Sequence, residues 1–145
     1  MKEPAHHLRK AIIDDLFGNV VINQRIVQIY NKVPHNASEP FVKVYTLSSG
    51  ESEFNRDSKM VDTVLRIECV TAFDTVAGGE LQVNQMVSQI YDRLRVSPEN
   101  YLDLSAEGLY IYSMSIGQTQ YFEEYTDGKI YHRAVISVEI KTNEQ

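Results

Sequence analysis

The stretch of residues 60–94 constrains the fold most, because its hydrophobic period changes once along the way. Between residues 60 and 73 every second side chain is apolar or small, and the charged Asp62, Arg66 and Glu68 lie among the alternate positions. Such alternation predicts a long strand with one buried face and one solvent-exposed face. The residues expected to face inward are Val61, Thr63, Leu65, Ile67, Cys69, Thr71 and Phe73.

The second half of this stretch predicts an amphipathic helix. Its apolar residues recur at spacings of three and four, which places them on one stripe of a helix. They are Val83, Met86, Val87, Ile90 and Leu94. A long strand that leads into such a helix offers two apolar surfaces that can bury each other, and we expect the other elements to add to this pair.

The residues before this stretch predict one helix and two strands. Residues 4–17 carry an apolar stripe at helical spacing, with a stop at Gly18. Residues 20–31 predict a short strand that ends near Val33, and residues 41–47 predict a second strand. The expected core positions are Leu8, Ala11, Ile12 and Leu16 in the helix, and Val42 and Val44 in the second strand.

The residues after it predict a short turn over 98–104 and two more strands, over 108–117 and 129–141. Between these strands, residues 118–127 predict a polar and aromatic hairpin region that ends in the turn 126–128. In the first strand, one face is expected to hold Tyr110, Tyr112, Met114 and Ile116, and the other Leu109, Ile111, Ser113 and Ser115. In the last strand, the inward residues are Ile130, His132, Ala134, Ile136, Val138 and Ile140.

Together these elements predict a single α+β domain over residues 1–145. We expect one mostly antiparallel or mixed sheet of about four to five strands, with two helices packed on one face. Strands 41–47 and 60–73 should be antiparallel neighbours, as should strands 108–117 and 129–141, because a hairpin-like loop joins each pair. The face of the sheet opposite the helices should stay exposed to solvent or contact another subunit. Its charged residues are Arg66, Glu68, Arg133 and Glu139.

The most hydrophilic segment, residues 48–59, predicts an extended and mobile hairpin loop. Phe54 is isolated among its polar neighbours. Its ring either folds back onto the sheet or serves as an anchor on a partner protein, since aromatic anchors recur in interfaces.

Composition excludes several classes of function. Fourteen basic and twenty acidic residues give a net charge of −6, which argues against a nucleic-acid reader, because that binding depends on neutralising phosphates with Lys and Arg. No apolar run is long enough to cross a bilayer, and the N-terminal residues lack the core of a signal peptide. We therefore expect folding in a cytoplasm, with no membrane partner. Cys69, the single cysteine, is expected to be a small buried hydrophobe.

No group of residues predicts catalysis, a cofactor or a metal. The glycines at 78–79 are not followed by the lysine of a phosphate-binding loop. His6 and His7 point to different sides of a helix, and His132 is expected to be buried and hydrogen-bonded. Solvated charge is the expected state of the paired carboxylates, which are Asp14 with Asp15, Glu51 with Glu53, and Glu123 with Glu124. We predict a protein that is not an enzyme and that holds no cofactor.

One bias in composition points to an interface. The chain has nine tyrosines and no tryptophan. A group of them crowds the C-terminal part, namely Tyr101, Tyr110, Tyr112, Tyr121, Tyr125 and Tyr131. Tyrosine combines an apolar body with a polar tip, so these residues either line the rim of the core or lie between proteins. The density of aromatic residues at 121–125 favours an interface.

The order of these elements resembles that of the tail terminator, or tail-completion, proteins of long-tailed bacteriophages. The matching layout is an N-terminal helix, a short strand at 29–30, a proline-bounded connector to 40–44, a polar hairpin, a long strand through 65–70, a helix over 83–94 and two closing strands that end at 136–140. The resemblance covers nearly the whole chain. It is one of pattern, because the family has no short diagnostic motif.

The resemblance implies a small subunit that assembles with itself into a ring, typically of six. Such a ring caps the head-proximal end of the tail tube, stops its polymerisation and offers a surface to the head connector and other neck proteins. Genome DNA passes through the lumen without sequence-specific binding, and a negatively charged lumen repels the phosphate backbone. The implied location is the virion, at the phage tail and neck, after synthesis in the cytoplasm of the bacterial host.

Under this resemblance the loop 48–59 and the hairpin 119–128 are expected to dock on tube or connector subunits. The candidate interface residues are Glu51, Glu53, Phe54, Arg56, Asp57, Tyr121, Phe122, Glu123, Glu124 and Tyr125. Two alternatives stay open. One is a different ring component of the same neck, such as a head-completion or stopper protein. The other is a cytoplasmic α+β module that binds a small ligand through its open sheet.

Overall fold

A computed structural model describes residues 3–51, 60–74, 79–94 and 102–144. The helices in these ranges are α1 (Ala5–Leu16) and α2 (Leu81–Leu94). The strands are β1 (Val21–Ile22), β2 (Arg25–Ile26), β3 (Gln28–Tyr30), β4 (Phe41–Glu51), β5 (Met60–Asp74), β6 (Leu109–Thr126) and β7 (Lys129–Glu144). A 3-10 turn, Ser105–Glu107, precedes β6.

Five strands form one mixed sheet in the order β3-β4-β5-β7-β6, and β1 with β2 forms a separate small hairpin. The β3–β4 pair is parallel, and the other neighbours in the large sheet are antiparallel. The predicted α+β class is therefore confirmed, and so are both predicted antiparallel pairs, β4 with β5 and β6 with β7.

The core lies between the helices and one face of the sheet. Helix α1 packs on β4, and α2 packs on β5 and β7. The inward row predicted for β5 is buried, except that Phe73 is half-buried. The apolar stripe predicted for α2 is also buried at every position. Each large apolar side chain buried in this way contributes about 1.5–3 kcal/mol relative to an exposed one.

Polar contacts hold the helix layer in place. The guanidinium of Arg93 in α2 donates to Asp15 in α1 at 2.7 Å, which ties the helices together. The side-chain amide of Gln89 bonds both the backbone N–H and the carbonyl oxygen of Val21, at 2.7 and 2.9 Å, so α2 also fixes the small hairpin. Arg9 donates to the hydroxyl of Thr46 at 2.6 Å and joins α1 to β4.

The prediction of one strand over residues 20–31 is wrong in part. The chain makes a tight hairpin there, because Asn23 and Gln24 both adopt positive φ, at 52° and 66°, between β1 and β2. Positive φ at both central residues suits a two-residue hairpin turn. Only the end of the segment, Gln28–Tyr30, joins the large sheet.

The loop predicted for residues 48–59 is also wrong at its start. Ser48 to Glu51 continue β4 and pair with β5 after a register shift next to Leu47. This shift interrupts the alternation of inward and outward residues in β4. The hydrophilic residues after it therefore lack the pattern that predicts a strand. The rest of that loop, and residues 98–101 of the predicted short turn, lie outside the described residues.

The largest correction concerns β6. Residues 118–127 do not form a loop. Strand β6 continues from Leu109 to Thr126 and stays antiparallel to β7 throughout. Register shifts at 111–113 and 116–119 mark two bulges. A bulge inserts one extra residue and so exchanges the two faces of the strand beyond it. The predicted turn is confirmed, with positive φ at Asp127 and Gly128, of 51° and 76°.

The first bulge explains why the predicted faces of this strand are mixed. Leu109 and Ile111 are buried, as one predicted face requires. Beyond the bulge at residue 112, Met114 and Ile116 pack against the core instead of sharing a face with Tyr110. The four residues assigned to the other face therefore do not lie together.

Candidate functional site

Strand β6 forms one edge of the large sheet. It pairs with β7 on one side over its 18 residues, and no described residue pairs with it on the other side. Residues 109–122 contain no charged side chain and no proline. Sheet edges in monomeric proteins are usually protected by lysine, proline or a covering element, since an open edge can pair with another chain. This edge has two bulges, but residues 109–122 contain neither lysine nor proline, and no described strand pairs with their outer side.

Exposed aromatic side chains line this strand. We call the five of them the aromatic edge. They are Tyr110, Tyr112, Tyr121, Phe122 and Tyr125, with 45–67% of each exposed. Large apolar residues are also exposed elsewhere, for example Phe17, Leu81 and the cross-strand pair Val21 and Ile26, but in smaller groups. Exposed aromatic rings along a strand with one open side are typical of a surface that meets another protein.

The structure divides the predicted interface residues 121–125 between the two faces of the sheet. Tyr121, Glu123 and Tyr125 pair with inward positions of β7 and lie on the helix side, whereas Phe122 and Glu124 lie on the opposite side. The hydroxyl of Tyr125 donates to Glu123 Oε1 at 2.8 Å. This bond and the charge of Glu123 raise the pKa of Tyr125, because they stabilise its protonated form.

On the face away from the helices, Arg133 organises the charges. Its Nη1 donates to Glu68 Oε1 at 3.1 Å, and its Nε lies 3.8 Å from Glu124 Oε2. Its guanidinium also lies 5.9 Å from the centre of the Tyr131 ring. Glu124 is thus partly neutralised within the chain, which leaves Glu123 as the less compensated of the two predicted carboxylates.

A small cavity of about 150 Å³ lies between the start of α2 and β6, and its lining includes Glu80, Val83, Tyr121 and His132. Burial raises the pKa of Tyr121, and nearby Tyr91 and Glu80 add to the effect. Ligand sites usually occupy about 300 Å³ or more, so this cavity is small for a cofactor.

His132 is buried, as its inward position predicts. Its ring meets the edge of the Phe73 ring, with 6.5 Å between centroids. The predicted hydrogen bond is not found between its ring and any residue that the structure describes.

The other predicted interface residues lie at the far end of the sheet or outside the described residues. Glu51 is exposed at the end of β4, opposite Val61. Tyr121 pairs with Ala134, which pairs with Cys69, so these three residues lie in one row across the sheet. Val61 and Cys69 are eight residues apart, or about 26 Å along a strand. The two predicted docking regions therefore lie at opposite ends of the sheet. The candidates that fall outside the described residues are Glu53, Phe54, Arg56 and Asp57.

Sequence reasoning missed a second open edge. Strand β3 pairs only with Phe41 to Lys43, and the side-chain amide of Asn31 donates to the carbonyl oxygen of Val44 at 2.9 Å. Residues 45–51 of β4 then have no neighbour on that side among the described residues. We call these seven residues the open edge of β4. The alternation of Tyr45 and Leu47 indicated the first part of this strand edge. The polar residues 48–51 that follow did not indicate that the strand continues.

Reactive groups do not converge in the described part of the chain. No cluster of three or more His, Cys, Asp or Glu side chains there has a geometry that could hold a metal. Cys69 is fully buried, and burial, with a smaller effect of Glu68, raises the pKa of its thiol far above the ordinary range. Asp103 accepts a hydrogen bond from the backbone N–H of Ser105, which lowers the pKa of its carboxyl.

Comparison with known proteins supplies no identity. A scan against protein-family models finds no matching family, and a search of curated protein sequences finds no significant match. None of the helices in the described ranges is long and apolar enough to cross a membrane.

Proposed function

We propose that this chain is the subunit of a ring at the head-proximal end of a phage tail tube, where it ends tube polymerisation and joins the tail to the head. The observation that carries the proposal is the aromatic edge, which lies on an 18-residue strand with a partner on one side only among the described residues. A long uncharged edge of this kind is an aggregation hazard in a monomer and an asset in a protein that assembles laterally. The resemblance in element order to tail terminators selects this assembly among others.

The separation of the two docking regions supports a subunit with two different neighbours above and below the ring. Glu51 lies at one end of the long strands, and Tyr121 with Glu123 lies near the other. A ring placed between a tube and a connector needs a binding surface at each end. In this proposal, one end meets the tube protein and the other meets the head connector.

The net charge of −6 supports a channel role. An acidic lumen repels the phosphate backbone, so DNA passes without sticking to the wall. The genome is then a passing cargo and not a sequence-specific ligand.

The test is to mix the purified protein with a polymerising tail tube protein and to image the products by electron microscopy. We expect tubes of limited length that carry a ring at one end. A Glu123→Lys variant should bind tube or connector more weakly while its circular dichroism stays unchanged. The matched control is Asp14→Lys, since Asp14 is an exposed carboxylate on α1, away from both docking regions.

Three outcomes would contradict the proposal. Binding to the connector without any effect on the tube would indicate a different neck component. A protein that stays monomeric and binds neither the tube protein nor the connector would not form a ring. Turnover of a substrate would indicate an enzyme.

A further inference from the structure

We propose that β6 of one copy pairs with the open edge of β4 in the next copy, so that the sheets continue from subunit to subunit around the ring. This inference rests on the proposed function, because it specifies how the ring closes. The partner is a second copy of the chain, and the contact is heterologous: two different edges of the same sheet meet. Repeated contacts of this type generate rings when the rotation closes.

Strand direction agrees with this pairing. Strand β6 is antiparallel to β7, β7 to β5, and β5 to β4, so β6 and β4 of one subunit run in opposite directions. When one sheet continues into the next, β6 therefore meets β4 of the neighbour as an antiparallel strand. Antiparallel pairs form regular hydrogen bonds between adjacent strands without requiring a crossover connection.

The lengths and levels of the two edges also match. Glu51 and Ile111 lie in the same row across the sheet, because Glu51 pairs with Val61, Val61 with Thr142, and Thr142 with Ile111. Ser48 lies level with Ser115, through Val64 and Glu139, so both serines lie on the face away from the helices.

The open edge of β4 therefore spans the same rows of the sheet as residues 111–117 of β6. Beyond these rows β3 covers β4, and β6 has its second bulge between Ile116 and Thr119. The pairing would stop there. Tyr121 and Glu123 would remain available at the end of the sheet.

Charge does not oppose the contact. Residues 111–117 carry no charge, and the open edge of β4 carries only Glu51, at its end. Like charges directly opposite each other would destabilise a pair of strands, and this pairing has none. Two β6 edges could also pair with each other, but that contact closes as a dimer and leaves the open edge of β4 unused.

Cysteine cross-linking distinguishes these arrangements. In a Cys69→Ala background, the double variant Ser48→Cys/Ser115→Cys is oxidised, or treated with a short bis-maleimide that tolerates a register error of one residue pair. Adjacent strands bring Cα atoms within the range that a disulfide needs. The reaction is run on the assembled ring, with tube protein added when the ring needs it.

We expect the double variant to give a ladder of covalent oligomers up to the closed ring, and both single variants to stay uncross-linked. Dimers from Ser115→Cys alone would show β6 against β6 and would overturn the inference, as would dimers from Ser48→Cys alone. A ring detected by light scattering in which the double variant does not cross-link would overturn this inference but leave the proposed function intact. Absence of any ring would remove both.

A second measurement does not depend on the Cys69→Ala background. Tyr112→Lys places a charge within the paired rows of β6, and Phe17→Lys is its control because Phe17 is similarly exposed but lies at the end of α1. We expect Tyr112→Lys to weaken self-association by about tenfold or more, as loss of an aromatic interface anchor does. Equal effects of the two substitutions would contradict the pairing.

Discussion

The central strand β5 and the edge strand β6 are both long and both alternate in sequence, yet only β5 keeps its predicted inward row on one face of the sheet along its whole length. Strand β5 pairs with β4 on one side and with β7 on the other, along most of its length. Strand β6 pairs only with β7 and contains two bulges. Two neighbours fix the orientation of each β5 residue, whereas a strand with one neighbour can accommodate an extra residue. The centre of the sheet thus provides stability, and the outer side of β6 stays open to a further strand among the described residues.

The largest expected effect is at the centre. Leu65 is fully buried in β5, and Leu65→Ala should destabilise the fold by about 2–5 kcal/mol, because it removes apolar contacts and leaves a cavity. Chemical denaturation measures the change. The control, Leu81→Ala, removes a leucine that is 69% exposed and should change the free energy of unfolding little. Similar costs for both would break the contrast between centre and surface.

The turn that joins β6 to β7 should give the next effect. Gly128 has φ of +76°, and Gly128→Ala should cost about 1–2 kcal/mol, because a side chain is strained in that conformation. Gly79→Ala is the control, since a Cβ there meets nothing within 4 Å and its φ lies outside the positive region. The comparison is made by thermal or chemical unfolding. A neutral Gly128→Ala would mean that the turn does not hold the edge strand in register.

The buried thiol predicts a pH dependence. Because burial raises the pKa of Cys69 in the folded state, the unfolded chain ionises first, and the thiol's contribution is present below the ordinary thiol pKa and lost as pH rises above it. One unit above that value, near pH 9.5, the loss is about 1.4 kcal/mol. The measurement is the difference in unfolding free energy between the wild type and Cys69→Ala from pH 7 to 10. A difference that does not change with pH would show that the thiol is accessible or already ionised.

The smallest effect belongs to the open face. Glu68→Gln removes one charge from the pair with Arg133, whose side chains are 19% and 35% exposed, and should cost less than about 1 kcal/mol. Asp14→Asn is the control, because its contact with Lys10 is longer, at 3.7 Å, and far more exposed. We expect no measurable cost for the control. Added salt should shrink the effect of Glu68→Gln, and a cost that salt does not change would contradict its electrostatic origin.

The parts of the fold that sequence could predict are those where one period runs without interruption. Leu65, Ile136 and Met86 are buried with the other residues predicted for the inward rows of β5 and β7 and the stripe of α2, except that Phe73 and Ile130, near strand ends, are half-buried. The bulge at residue 112 could not be predicted, because residues 109–112 are all large apolar or aromatic residues, and the alternation there does not show where the extra residue enters. The continuation of β6 through Tyr121 to Tyr125 was missed because an unpaired edge does not need a buried face.

The candidate site shows the same division. Aromatic density marked residues 121–125 as a candidate interface, and the structure leaves these residues exposed, but the sequence did not show that Tyr110 and Tyr112 lie on the same strand edge. The open edge of β4 was hidden because Ser48 to Glu51 resemble a loop in composition. A strand edge is open when no neighbouring strand pairs with it. The order of strands in the sheet determines this, and the local sequence does not.

The most direct test of the central claim is hydrogen–deuterium exchange of β5 and β6 at low and high protein concentration. In the dilute protein, the amides of β5 should exchange slowly, and those of β6 that face away from β7 should exchange fast, because no strand covers them. As subunits assemble, exchange in residues 111–117 should slow while β5 stays unchanged. If β6 is as protected as β5 in the monomer, or if its exchange stays fast in the assembled protein, the edge is not the assembly surface.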